Sequence, residues 1–142
     1  MSNFSKFMKS NKIQKQNVMH PVTKSLVDEK GKPLMWEIKP LNTKENEAIR
    51  EACTVEVPVK GKPNMFRPKV DMNKYQTKLL CAAIVSPDLN NAELQDSYGV
   101  MTPEDLIKEM VDDPAEYTDL LILVQNISGF KTLQEEVDEA KN

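Results

Sequence analysis

Histidine, cysteine, glycine and tryptophan are all scarce in this chain, whose 142 residues hold one His, two Cys, four Gly and one Trp. The lone histidine, His20, stands directly before Pro21 in a loop-like stretch. It reads as a surface residue, because general acid–base chemistry needs a positioned partner that no neighbouring motif supplies. Cys53 and Cys81 lie far apart and lack the close spacing of a zinc or redox motif. They read as reduced thiols that pack as small hydrophobes in a reducing cytoplasm. The glycines (31, 61, 99 and 129) fall singly at turns and helix ends, so no Gly-rich loop cradles a phosphate. Long apolar runs are also missing. Stretches such as Leu120 to Val124 are far short of the roughly 20 residues a membrane-spanning helix requires. The first residues carry lysines but no apolar segment of the kind a secretory signal needs. Acidic pairs such as Asp112–Asp113 and Glu135–Glu136 are accounted for by helix starts and a solvated face. With no nucleophile–base constellation, the expectation is a protein that is not an enzyme, with no cofactor and no metal.

What is present fits a soluble single domain. Hydrophobic residues make up 39% and charged residues 29%, with a mean hydropathy of -0.53, which excludes disorder throughout. A chain of this size can sustain a core without disulfide or metal staples. The net charge of -3 conceals a polarity along the chain. Residues 1–69 carry 14 Lys+Arg against 7 Asp+Glu, whereas residues 70–142 carry 5 against 15. The basic half could meet an acidic partner or nucleic acid, or complement the acidic half in the same molecule or a neighbouring copy.

Four segments follow from the patterning: a basic N-terminal segment at 1–17, a basic β-hairpin-rich half at 18–70, an acidic helical half at 71–130, and a weakly helical tail at 131–142. In the first, Phe4, Phe7 and Met8 are spaced for a docking helix or a frayed end. The runs Val22–Val27 and Leu34–Leu41 flank a polar turn at 28–33 and predict a β-hairpin. Thr43 predicts the cap of a helix to about Ala52. A second extended pair, Thr54–Val59 and Met65–Val70, surrounds Lys60-Gly-Lys-Pro63. The tetrapeptide Lys-Gly-Lys-Pro occurs twice, either by duplication or because two loops meet the same turn demand. Pro58 and Pro68 demote this pair to an edge or a flexible arm.

Helices dominate from Asp71. The first is expected to run from that cap to Val85, with Met72, Tyr75, Leu79, Ala82 and Ala83 as its apolar face. Asn90 and Glu93 predict a capping box for a short helix closed by Gly99. Thr102-Pro-Glu-Asp105 and Asp113-Pro-Ala-Glu116 each announce a helix start, and Met101 and Leu106 are spaced as a hydrophobic staple. The helix from Asp113 is expected to end at Ser128–Gly129. Tyr117, Leu120, Leu121, Val124 and Ile127 form its stripe, and Ile122 and Leu123 widen that stripe around the cylinder. Such a helix is the central core helix or is shared with another chain. The fold class is therefore α+β, with N-terminal β-hairpins packed on a mainly helical C-terminal half.

The function these residues favour is contact rather than catalysis. Lysines at the two hairpin turns, with Trp36 and Phe66 nearby, supply ingredients for nucleic-acid contacts, but the acidic half and the pI near 5.3 weigh against them. Trp36 and Phe66 also stand where hairpins want core aromatics. Eight methionines give adaptable apolar surface suited to holding a partner.

The order of several local patterns is more specific. Trp36-Glu-Ile-Lys39, Thr43-Lys-Glu-Asn-Glu47, Arg50-Glu-Ala-Cys-Thr54, Asp71-Met-Asn-Lys-Tyr75, the run Leu79 to Leu89, Ala92 to Val100, Pro114-Ala-Glu-Tyr117 and Ile127-Ser-Gly-Phe130 follow one another along the chain. Together they resemble the XkdN-like family of phage tail assembly chaperones, over roughly residues 20 to 130. The resemblance implies a non-catalytic protein of a phage or PBSX-type prophage tail gene cluster, acting in the bacterial host cytoplasm. Its expected partner is the tape measure protein, kept soluble while tail-tube subunits assemble around it, with the tube protein or a second copy as further contacts. Two alternatives stay open: a structural component of the tail or baseplate, and a nucleic-acid-associated phage protein.

The family supplies no catalytic motif, and the residues themselves suggest the partner-binding positions. These are apolar side chains left over once a core is built: Ile122 and Leu123 on the far side of the long helix, and Leu133 and Val137 on the tail. Replacing Leu133 and Val137 together with Asp is expected to weaken partner capture with the thermal midpoint nearly unchanged. A large fall in that midpoint would place them in the core instead.

Overall fold

The computed structural model of the protein describes residues 3–130. The fold is α+β, with antiparallel strands early and five helices mostly in the C-terminal half. Strands β1 (Val18–Pro21) and β2 (Met35–Ile38) pair antiparallel, with Pro21 opposite Met35 and Val18 opposite Ile38. Helix α1 (Thr43–Ala52) leads into β3 (Thr54–Pro58) and β4 (Phe66–Val70), which form a separate two-stranded ribbon. Helix α2 (Met72–Ala83) runs directly into β5 (Ile84–Ser86), which returns to the first sheet beside β2 and gives the order β1-β2-β5. Helices α3 (Ala92–Ser97), α4 (Pro103–Met110) and α5 (Pro114–Ser128) complete the described residues.

The first strand begins earlier than the apolar pattern predicts. Val22–Val27 is not a strand; it lies in the connection between β1 and β2, where only Val27 bridges Pro33. The reason is non-local. Thr23 is buried at 2% exposure, and the Glu116 carboxylate accepts from its hydroxyl at 2.7 Å and from the Lys24 amide at 2.8 Å. That clamp holds residues 22–24 on the start of α5, and the pairing register passes to Val18–Pro21. His20 consequently lies in β1 opposite Trp36, not in a loop.

Other boundaries move by one or two residues for identifiable reasons. The cap of α1 is Asn42, whose side chain accepts from the Glu45 amide at 2.8 Å while the Glu45 carboxylate accepts from the Asn42 amide at 3.2 Å. This is a reciprocal capping box one residue before Thr43. Asn91, not Asn90, caps α3, accepting from Leu94 N–H at 2.8 Å. Helix α2 stops at Ala83, because Ile84 takes up pairing with Ile38 as β5. The peptide bond between Ser86 and Pro87 is cis. Met101 is 89% exposed and forms no staple with the buried Leu106. Thr102, Asp113 and the left-handed Gly129 act as caps at the predicted places. The N-terminal segment forms two short 3₁₀ turns, Ser5–Phe7 and Lys9–Asn11, with no buried residue.

The core gathers around α2. Leu79, Leu80 and Ala83 are all fully buried. They meet the inner face of the sheet (Trp36, Ile38, Ile84), α4 (Leu106, Ile107, Met110) and α5 (Leu120, Val124) in one cluster. Tyr75, Cys53, Leu41 and Leu89 extend it, and Met72, at the start of α2, is exposed. Polar ties lock the layers. The Tyr75 hydroxyl donates to Asn46 of α1, Thr77 and Tyr117 share a hydrogen bond of 3.0 Å between α2 and α5, and the Leu41 amide donates to Ser128 Oγ at 2.8 Å.

The last of these is buried, so its loss has a definite cost. Ser128→Ala leaves the Leu41 amide without its acceptor and is expected to destabilise the protein by about 1–3 kcal/mol. Leu120→Ala is expected to cost about 2–5 kcal/mol through the cavity it opens. Urea unfolding measures both, and a Ser128→Ala protein as stable as the parent would mean that the Leu41 amide finds another partner.

Candidate partner-binding surface

The ribbon β3–β4 is an excursion between two packed helices. Helix α1 ends at Ala52, the chain goes out and back, and α2 starts at Met72. At its base the Asp71 amide donates to the Cys53 carbonyl at 2.8 Å, closing the loop where Cys53 is buried. Beyond that closure the ribbon is open to solvent on both faces. Its pairs run from Thr54 opposite Val70 to Pro58 opposite Phe66, and every residue of both strands is exposed except the half-buried Val57 and Val70. Near the tip, where Gly61 and Asn64 adopt positive φ, a shallow concavity of about 380 Å³ is lined by Pro58, Val59, Met65 and Phe66. Met65 is 52% and Phe66 60% exposed. Phe66 is therefore not a core aromatic, whereas Trp36, at 2% exposure, is one. Lys60 and Lys62 in the turn and Arg67 next to Phe66 bring positive charge near the apolar tip, and Lys69 lies towards the base, opposite Val55. An isolated two-stranded ribbon is marginal in water. An apolar tip beside cations is the kind of surface that marks an interaction site.

Two further apolar surfaces stay uncovered. The sheet β1-β2-β5 buries Trp36, Ile38 and Ile84 on one face, and Met19, Met35 and Val85 stand exposed on the other. On α5, Ile122 is exposed and Leu123 is half-buried against the core cluster. The long helix is thus buried along one stripe (Leu120, Val124, Ser128) and open on its far side, not enclosed all round. Leu133 and Val137 lie outside the described residues. The sequence pattern did not single out Met65, Met19, Met35 or Val85 as surface. The signal for the ribbon was present in Pro58 and Pro68, which keep a strand from the middle of a sheet.

No titrating cluster accompanies these surfaces. Among the described residues, no group of three or more His, Cys, Asp or Glu is placed to hold a metal ion. Among them, too, no helix is long and apolar enough to cross a membrane. Hydrogen bonding to the Lys39 ammonium holds the Glu45 carboxyl below its ordinary value. Desolvation pushes the Tyr75 hydroxyl up. The Cys81 thiol is pushed up to about 12, first by burial and then by the nearby Glu104 carboxylate.

Comparison with known proteins now gives this surface a setting. The family of phage XkdN-like tail assembly chaperone proteins matches residues 4–141. The chain belongs to that family. It is 25% identical over 137 residues to the phage-like element PBSX protein XkdN of Bacillus subtilis (strain 168), covering 96% of this chain and 91% of the relative. It is 24% identical over 134 residues to YqbN of the same strain, covering 94% and 89%. The crystal structure of a protein named YqbN shares the fold, with a TM-score of 0.75 and 21% identity over 92% of this chain and 99% of that one. Membership in a tail assembly chaperone family implies a role without catalysis and partners related to the phage tail.

The thiols of this family member separate burial from reactivity. With its pKa near 12, Cys81 is expected to hold on the order of a thousandfold fewer thiolates at pH 8 than an ordinary cysteine. Alkylation by iodoacetamide should be correspondingly slow, and Cys53 should resist until the chain unfolds. Labelling of Cys81 at the rate of free glutathione would contradict the packing around it.

Proposed function

We propose that this protein binds the tape measure protein of a tailed phage or prophage in the host cytoplasm, keeps it soluble, and yields it to tail-tube subunits, without catalysis. The observation that carries this reading is apolar surface displayed by a chain whose core is already closed: the ribbon tip at Met65 and Phe66, supported by Ile122 on α5. The family to which the chain belongs supports an assembly role. A long amphipathic partner exposes apolar stripes until it is enclosed, and such stripes aggregate unless covered. Methionine and phenylalanine on a two-stranded arm can cover them by contact, and the nearby lysines keep the complex soluble and hasten encounter with an acidic segment. Partner positions at Ile122, Leu123, Leu133 and Val137 belong to the same proposal.

Co-expression with the tape measure protein of the same gene cluster, followed by a solubility assay and pull-down, tests it. The expected result is a soluble tape measure protein that co-purifies with this chain. A double Met65→Asp, Phe66→Asp variant should lose capture at least tenfold, since burying each side chain contributes roughly 1.5–3 kcal/mol. Its thermal midpoint should stay near that of the parent, because neither residue touches the core. An insoluble tape measure protein, with this chain retained in purified tails, would replace the chaperone reading by that of a structural tail component.

A further inference from the structure

The backbone ladder of the ribbon fixes where its edges and its side chains point. At the base the Asp71 amide donates to the Cys53 carbonyl at 2.8 Å, and near the tip the Val59 amide donates to the Met65 carbonyl at 2.9 Å. Antiparallel pairs alternate between hydrogen-bonded and non-hydrogen-bonded. Val55–Lys69 and Val57–Arg67 are therefore the bonded pairs between those two ends. The alternate pairs, Thr54–Val70, Glu56–Pro68 and Pro58–Phe66, turn their backbone groups outward. Both strand prolines thus stand at outward positions, where each lacks the amide that an added strand would need. On β4 the loss falls at the middle of the edge, and on β3 at its last residue. Such a ribbon is a poor template for strand addition, and its recognition surface is a face.

Side chains directly opposite across an antiparallel pair share a face. One face therefore carries Val55, Val57 and Val59 along β3, with Lys69, Arg67 and Met65 beside them on the returning strand. The other carries Thr54, Glu56, Pro58, Phe66 and Pro68, with Val70 packed against the core cluster at the base. On the first face Val55 is 44% and Met65 52% exposed, and Arg67 and Lys69 are exposed as well. It is a column of valines beside a column of cations. The one carboxylate of residues 54–70, Glu56, lies on the opposite face. From Val55 to Val59 the apolar column spans roughly 13 Å, about the rise of nine helical residues. We propose that this face receives an amphipathic helix of the partner whose apolar stripe is flanked on one side by Asp or Glu. The stripe lies on the valines and Met65, and the flanking carboxylates pair with Arg67 and Lys69. A helix satisfies its backbone internally and asks no amide of the ribbon edge. Phe66 meets the same helix at the tip, where it and Met65 line one concavity. The inference rests on the tape measure reading above and adds to it the face, the conformation and the charge of the bound segment.

The test uses the full chain co-expressed with the tape measure protein of the same gene cluster. A photoreactive benzophenone side chain is installed in place of Val55 or of its neighbour Glu56, which point to opposite faces. The expected result is cross-linking to the tape measure protein from position 55 and its loss at position 56. The cross-linked segment should show helical periodicity, with carboxylates beside its apolar stripe. Arg67→Glu combined with Lys69→Glu should weaken capture about tenfold at low salt, and less at about 0.5 M salt, whereas Glu56→Lys should stay within about twofold of the parent. These side chains are exposed, so each variant is expected to keep the parent's thermal midpoint, and the cross-links read the face without any charge reversal. Equal cross-linking from both positions, cross-links mainly to a second copy of this chain, or capture indifferent to the charge reversal would overturn the proposal and leave the tape measure reading standing. Capture that nuclease abolishes would make the occupant a nucleic acid and overturn it as well. A parent chain that captures no tape measure protein would overturn that reading, and the inference with it.

Discussion

The whole arrangement depends on burying the second half of one helix, α2. Helix α2 packs against α1, α4, α5 and β5. Its residues Leu79, Leu80 and Ala83 are sealed completely. The sheet, α4 and α5 are placed by what they contribute to that burial. The sheet presents Trp36 and Ile38, α4 presents Leu106 and Ile107, and α5 presents Leu120 and Val124. At roughly 1.5–3 kcal/mol per large apolar side chain removed from water, this cluster is where the favourable free energy of folding resides. The two ion pairs among the described residues, Lys39 with Glu45 and Lys78 with Glu104, sit at its margin, where such pairs contribute little.

Because the core closes around α2, parts of the chain are free to serve contact. The ribbon hangs from the Cys53–Asp71 backbone bond and adds little more than Val70 to the interior. The charge polarity of the sequence takes a spatial form: the basic ribbon and N-terminal segment set their apolar residues among lysine and arginine, while α4 and α5 start with acids that satisfy their own dipoles. A chaperone must bind apolar surface without being consumed by it. On the proposed function, displaying methionine and phenylalanine on an appendage, and not on the walls of the core, would let partner binding and stability vary independently.

Much of this was legible locally. Helix starts at Thr102 and Asp113, the stop at Gly129 and the ribbon strands follow from residues within four positions of one another, where capping and turn chemistry operate. The larger misplacements depend on partners distant in sequence. Val22–Val27 has strand composition, yet Glu116, more than 90 residues away, holds its start as a buried loop. The apolar run through Leu79–Val85 reads as continuous helix, yet Ile38 requires a strand beside it and takes Ile84. Phe66 looks like a core aromatic, yet it stands 60% exposed near the tip of the ribbon. The candidate site was legible in kind, as leftover apolar residues, and the family resemblance supplied its setting. Its location on the ribbon and on the outer sheet face was not, since exposure is set by what fails to pack there.

Whether a closed core around α2 displays the ribbon for a partner is tested by hydrogen–deuterium exchange of the chain alone and of its complex with the tape measure protein. Fast exchange is expected at residues 54–70 in the free chain, with marked slowing there in the complex and unchanged protection in α2 and α5. Slow exchange of the ribbon in the free chain, or a complex that protects the helices and leaves the ribbon untouched, would contradict that display.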